Sequence, residues 1–159
     1  MCSITKKLYF HSSVKKVWAA LADQKAIRDW LGGSNAVTLE LVVGGHFSYF
    51  GGEITGVFTK IEEPIILEYT WRRDDWPANW PDSVVRFEIK GYGLDTQIKL
   101  THGNFQNEEE RDRQNESWEI DFFEPMREWA ETTTNVVFGV APFRRRQDAE
   151  TKPGPDKVK

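Results

Sequence analysis

A single cysteine, Cys2, stands in the 159 residues, so no internal disulfide can staple the chain. That usage fits a reducing, cytoplasmic setting. Basic charge is not in excess: the net charge of −4 excludes the balance of a general nucleic-acid binder. Long apolar runs are missing as well. None approaches the roughly 18 residues of a membrane-spanning helix, so no membrane span is expected. The opening MCSITKKLYF has neither the apolar core nor the cleavage site of a secretory signal. Histidine is scarce. His11, His46 and His102 fall on separate predicted strands, and no spacing with Cys or carboxylates matches a zinc site, so no metal is expected. The glycine pairs Gly44-Gly45 and Gly51-Gly52 read as hairpin turns rather than a phosphate loop, so no nucleotide and no other cofactor is expected. No Ser-His-Asp or Cys-His arrangement assembles, so no catalytic residue is assigned.

Aromatic side chains are what the chain has in quantity, at 13% with seven Trp. Large flat side chains at that density imply a core, or a cavity, that they line. Charge is unevenly spread. The stretch after Phe143 carries six basic and three acidic residues, which leaves −7 for the body. With Pro153 and Pro155 and no apolar periodicity, residues 139–159 read as a disordered basic tail, and residues 1–138 as one domain. The Arg144-Arg145-Arg146 run reads as solvated.

Periodicity divides the body into elements. Ile4 to His11 alternates as a strand, and Ser12 and Ser13 offer a helix cap. Val14, Val17, Trp18 and Leu21 lie on one helical face. Ala26 to Leu31 reads as a second short helix, ended by Gly32-Gly33. Strands follow over Val37–Val43, His46–Phe50, Glu53–Ile61, Ile65–Arg72, Ser83–Lys90 and Asp95–His102, joined by short turns as in an antiparallel meander. A long helix runs from about Glu108 to Val136, capped by Asn107 with Glu110 three residues on. Trp118, Phe122, Met126 and Trp129 share its broad apolar stripe. Pro125 predicts a kink that frees the Asp121 carbonyl, or a break into two helices. Glu108 to Arg113 reads as a solvated charge run.

The order is strand, two helices, six strands, long helix: an α+β fold whose curved sheet wraps the last helix. A sheet with one apolar face must cover it, and the gap between sheet and helix is the candidate site. Alternation places Leu67, Tyr69 and Trp71 on the inner face, with Phe87, Ile98, Leu100 and His102. Trp118 and Phe122 of the helix complete the expected lining for a small hydrophobic or aromatic ligand. Tyr69 and His102 are its polar groups, since a buried hydroxyl or imidazole needs a partner. The same His102 is the one candidate acid or base if the chain were a cyclase- or hydrolase-like enzyme. In the loop Arg72–Asp82, Trp76 and Trp80 each precede a proline, which holds them extended; they are the candidate lid.

The ordered set Val17-Trp18-Ala19-Ala20-Leu21, Trp30, Gly44-Gly45-His46-Phe47, Gly56, Glu63-Pro64-Ile65-Ile66-Leu67 and Tyr69-Thr70-Trp71 carries a family resemblance. Thr96, Leu100-Thr101-His102-Gly103, Phe105 and Trp118 extend it over about residues 4 to 135. The chain resembles the START-related superfamily, also called SRPBCC or birch-pollen-allergen-like. Within it, the likeness is to the C-terminal domain of the activator of heat shock protein 90 ATPase. The resemblance implies the helix-grip fold, β-α-α-β6-α. It implies either hydrophobic-ligand binding, lipid included, or a stress-response role as a co-chaperone-like domain that contacts a chaperone. The separate N-terminal domain of members that stimulate the ATPase has no counterpart in the 159 residues, and Pro125 and the tail fall outside the family pattern.

Overall fold

A computed structural model of the chain describes residues 2–32 and 36–136, with side chains as far as residue 132 in the last helix. The expected tail, 139–159, lies outside the described residues. Seven strands form one antiparallel sheet: β1 (Cys2–Phe10), β2 (Thr38–Leu39), β3 (His46–Tyr49), β4 (Ile54–Glu62), β5 (Ile66–Arg73), β6 (Ser83–Tyr92) and β7 (Asp95–Phe105). Their order is β1-β7-β6-β5-β4-β3-β2. Helices α1 (Val14–Ala22) and α2 (Gln24–Leu31) carry the chain from one edge of the sheet to the other. The α+β helix-grip architecture expected from the sequence is therefore present.

Local chemistry sets the boundaries. Ser13 accepts a hydrogen bond from the Lys16 amide at 3.1 Å and caps α1. Gly32 ends α2 with a φ of 83°, where a Cβ would be strained. Gly56 is fixed for a different reason. A Cβ there would stand 1.9 Å from the Thr70 carbonyl oxygen and 2.4 Å from the Phe47 ring, so only glycine lets β4 lie this close to its neighbours. β2 is shorter than expected because Val42 and Val43, both exposed, belong to a turn; the amides of Gly44 and Phe58 close it through the Phe58 and Gly45 carbonyls.

The terminal helix departs from both forms expected of it. It runs as α3 (Glu108–Ser117), a π-helical segment (Trp118–Phe123) and α4 (Glu124–Val136), without an intervening loop. The Glu124 amide reaches back five residues to the Glu119 carbonyl. The wider turn absorbs Pro125, the second residue of α4, where a missing N–H falls in a ladder already changing register. It also turns Trp118, Phe122 and Phe123 together onto the buried face, each 2% exposed. A regular helix would not hold all three so closely on one line.

Candidate functional site

Strand alternation brings the expected residues together. Tyr69, Trp71, Phe87, Ile98, Leu100 and His102 all point inward, and Trp118 and Phe122 meet them from the helix. Register explains the meeting: Phe87 lies opposite Leu67 on one side and Leu100 on the other, and Ser83 lies opposite Trp71. Two residues not assigned beforehand, Phe47 and Tyr49 of β3, complete the cluster. The Phe47 ring lies 4.9 Å from that of Tyr69 and 6.4 Å from that of Trp71. Trp71 is the hub, with ring contacts to Phe47, Tyr49, Tyr69, His102, Trp118 and Phe122.

These rings pack closely on one another at the face they were expected to line. A small void walled by Tyr49, Tyr69, Trp118 and Phe122, between sheet and terminal helix, measures about 10 Å³. That is room for about one water molecule. The π-helical segment adds Phe123 to the inward face beside Trp118 and Phe122. Burial raises the proton affinity of both the Tyr49 and Tyr69 phenolates, so both are neutral phenols.

His102 is fully buried and fully satisfied. The Trp118 indole N–H donates to its Nδ1 at 2.9 Å. An indole can only donate, so Nδ1 is the acceptor and the ring proton sits on Nε2. Nε2–H then donates to Ser83 Oγ at 2.8 Å, and that hydroxyl donates to the Trp71 carbonyl at 2.8 Å. Burial pushes the His102 pKa down to about 3. A neutral imidazole with both nitrogens committed and no exposed surface holds three strands and a helix together and has no free site for a substrate proton. Ser83 carried a sequence signal that went unused: it is the one hydroxyl on the inward row it shares with Val85, Phe87 and Ile89.

The Trp76 loop is strapped down. Trp76 is buried, Trp80 half-buried, and their rings lie 6.0 Å apart. Arg72 donates to the carbonyls of Pro77 and Trp80 at 2.6 and 2.8 Å. Asp75 receives both terminal nitrogens of Arg113 at 3.1 Å, and Arg113 also pairs with Glu110 at 2.9 Å. The expected lid thus packs against the body. Two of the charges read as solvated are structural: the Glu110 carboxylate is almost buried and takes Gln114 as well as Arg113. Asn107 accepts from the Glu110 amide as a cap should, but the Glu110 side chain is engaged elsewhere. Arg113 holds the Asp75 carboxyl below the usual carboxylate range. Arg113→Ala is expected to cost about 1–2 kcal/mol, the range for a charged group's hydrogen bonds at a partly screened site. It should also speed amide exchange across residues 74–82; unchanged exchange there would show that the loop is held by its tryptophans alone.

Among the described residues, no helix is long and apolar enough to cross a membrane, and no group of three His, Cys, Asp or Glu could hold a metal. His11 pairs instead with Asp95 at 2.6 Å.

Known proteins resemble the chain in fold and, over most of its length, in family pattern. The model for a family described as activator of Hsp90 ATPase homolog 1-like protein matches residues 11–131. An HSP90 activator from Plasmodium falciparum superimposes with a TM-score of 0.70 at 25% identity, covering 87% of this chain and 97% of that one. The Aha1 dimer from Colwellia psychrerythraea gives 0.68 at 18% identity, over 82% and 97% of the two chains. CalU16 from Micromonospora echinospora gives 0.67 at 23% identity, over 80% of this chain and 65% of its own. The latter two share the fold alone. Among curated proteins, none matches the sequence.

Proposed function

Because the chain belongs to the activator of Hsp90 ATPase homolog 1-like family, we propose that it acts as a protein-interaction domain on an Hsp90-type chaperone. The observation that carries this reading is the match of the family model to residues 11–131. Among the described residues, the close aromatic packing around Trp71 supports a role for the surface. The 25% likeness to an HSP90 activator that is matched over 97% of its chain supports the same conclusion. His102, locked between Trp118 and Ser83, serves the fold, which weighs against an enzyme.

The test uses the full chain and a purified Hsp90. Mixing the two is expected to give a complex by calorimetry and to raise the steady-state ATPase rate of the chaperone. The body is acidic, so raising the salt should weaken the complex as exposed charges are screened. Absence of both complex and rate change would remove the proposal. A lipid or aromatic molecule found on the purified chain by native mass spectrometry would instead move the site back to the interior.

A further inference from the structure

The outer face of the sheet carries a feature that neither the core nor the ion-pair network uses. Lys7 of β1 lies directly opposite Lys99 of β7, on the same face. Like charges placed across a strand pair repel and cost stability. Lys99 in turn lies opposite Glu88, and Lys90 opposite Gln97. Lys6, Lys25 and Lys60 each have a carboxylate within 4 Å, whereas Lys7, Lys90 and Lys99 form no ion pair among the described residues. Three unpaired lysines thus converge on a surface whose parent body is acidic.

They rim an open basin of about 460 Å³ with Ile65, Ile66, Gln97 and Glu88 in its wall, and the Glu88 carboxylate is already paired with Arg86 at 3.3 Å. Gln97, 8% exposed, contributes to the wall of the same basin. An amide held there offers a donor and an acceptor to whatever occupies the basin. Ile65 is 46% exposed at one side of the basin. At the other, Tyr9 lies opposite Gln97 and contacts the exposed Tyr92, their rings 5.0 Å apart.

We propose that this basin docks an acidic, extended segment of a protein partner, with carboxylates on Lys7, Lys90 and Lys99, a backbone amide on Gln97, and an apolar side chain against Ile65 and Ile66. Charge complementarity selects the acidic segment. The flanking apolar residues favour a polypeptide over a bare anion, because an inorganic anion has nothing to place on them. The proposal does not rest on the chaperone reading: peptide binding without any chaperone complex leaves it standing.

The probe is a capped five-residue peptide, four glutamates around a central leucine, titrated into the isotope-labelled full chain. Saturable amide shifts are expected at Lys7, Ile66, Lys90, Gln97 and Lys99. Exchanging the four glutamates for glutamines should abolish them, and Lys7→Gln with Lys99→Gln should weaken binding about tenfold. Because the two lysines repel, Lys7→Gln alone should leave the melting temperature equal or higher while binding falls. Three results would each overturn the proposal: no saturable shift, equal shifts with inorganic phosphate, or binding to phosphatidylserine vesicles without binding to the peptide. A lowered melting temperature in Lys7→Gln would also overturn it, by showing that the lysine serves the fold.

Discussion

Trp71→Ala is expected to cost about 3–5 kcal/mol and to open, inside the domain, the cavity that the native side chains occupy. Trp71 is 1% exposed and touches six other rings, so its removal deletes contacts to β3, β5, β7 and the terminal helix at once. Its own Nε1 has no hydrogen-bond partner, so the loss is almost entirely one of packing. Cavities lined by apolar side chains stay dry and take up small aromatic molecules. Indole should therefore raise the melting temperature of Trp71→Ala, through binding to the folded state alone, and leave the native chain unmoved. If the alanine variant does not fold, Trp71→Leu leaves a smaller hole and should show a weaker form of both effects. Equal stabilisation of native chain and variant by indole would mean that the interior opens readily, and the filled-core reading would fall with it.

The rings around Trp71 show why part of this arrangement was legible from sequence and part was not. Which residues point inward follows from a period of two. It placed Leu67, Tyr69 and Trp71 on one face, and it set His102 with Ile98 and Leu100, as the structure has them. Helix ends were legible too, since Ser13 and Asn107 cap their helices through side chains that act within three residues. How much space the inward residues leave is a different kind of property. It depends on volumes summed over strands far apart in sequence, and on the π-helical segment, which is a tertiary accommodation of Pro125 and of the core together. Phe47 and Tyr49 lie on a strand of only four residues, too short to reveal its face by alternation. The charge run failed for a similar reason. Glu108 to Arg113 looks solvated on its own helix, and Glu110 and Arg113 gain a structural role only when Asp75 arrives from the loop after β5.

The second large effect is acid destabilisation through His102. The imidazole titrates near 6.5 when the chain is unfolded and at about 3 when folded. Below pH 6.5 the unfolded state therefore takes up a proton that the folded state refuses, and stability falls as pH drops, by about 1.4 kcal/mol per unit until the folded pKa is reached. Between pH 7 and pH 4.5 the loss from this one group is about 2.5 kcal/mol. Asp75 works in the same direction but in a lower window, below the ordinary carboxylate range, because its pKa is depressed in the folded chain. His11 opposes the trend: Asp95 raises its pKa, so its stabilisation is present below 6.5 and lost as pH rises, but it is fully exposed. His102→Gln removes the titration while keeping an amide in reach of Ser83 or Trp118; it should cost about 1–2 kcal/mol at pH 7 and flatten the slope between pH 7 and 4.5. His102→Leu strands the Trp118 N–H in a dry core and leaves Ser83 without its donor, and should cost about 3–4 kcal/mol. Urea melts of the three proteins across that pH range decide the matter, and a slope as steep in His102→Gln as in the native chain would assign the acid sensitivity to other groups.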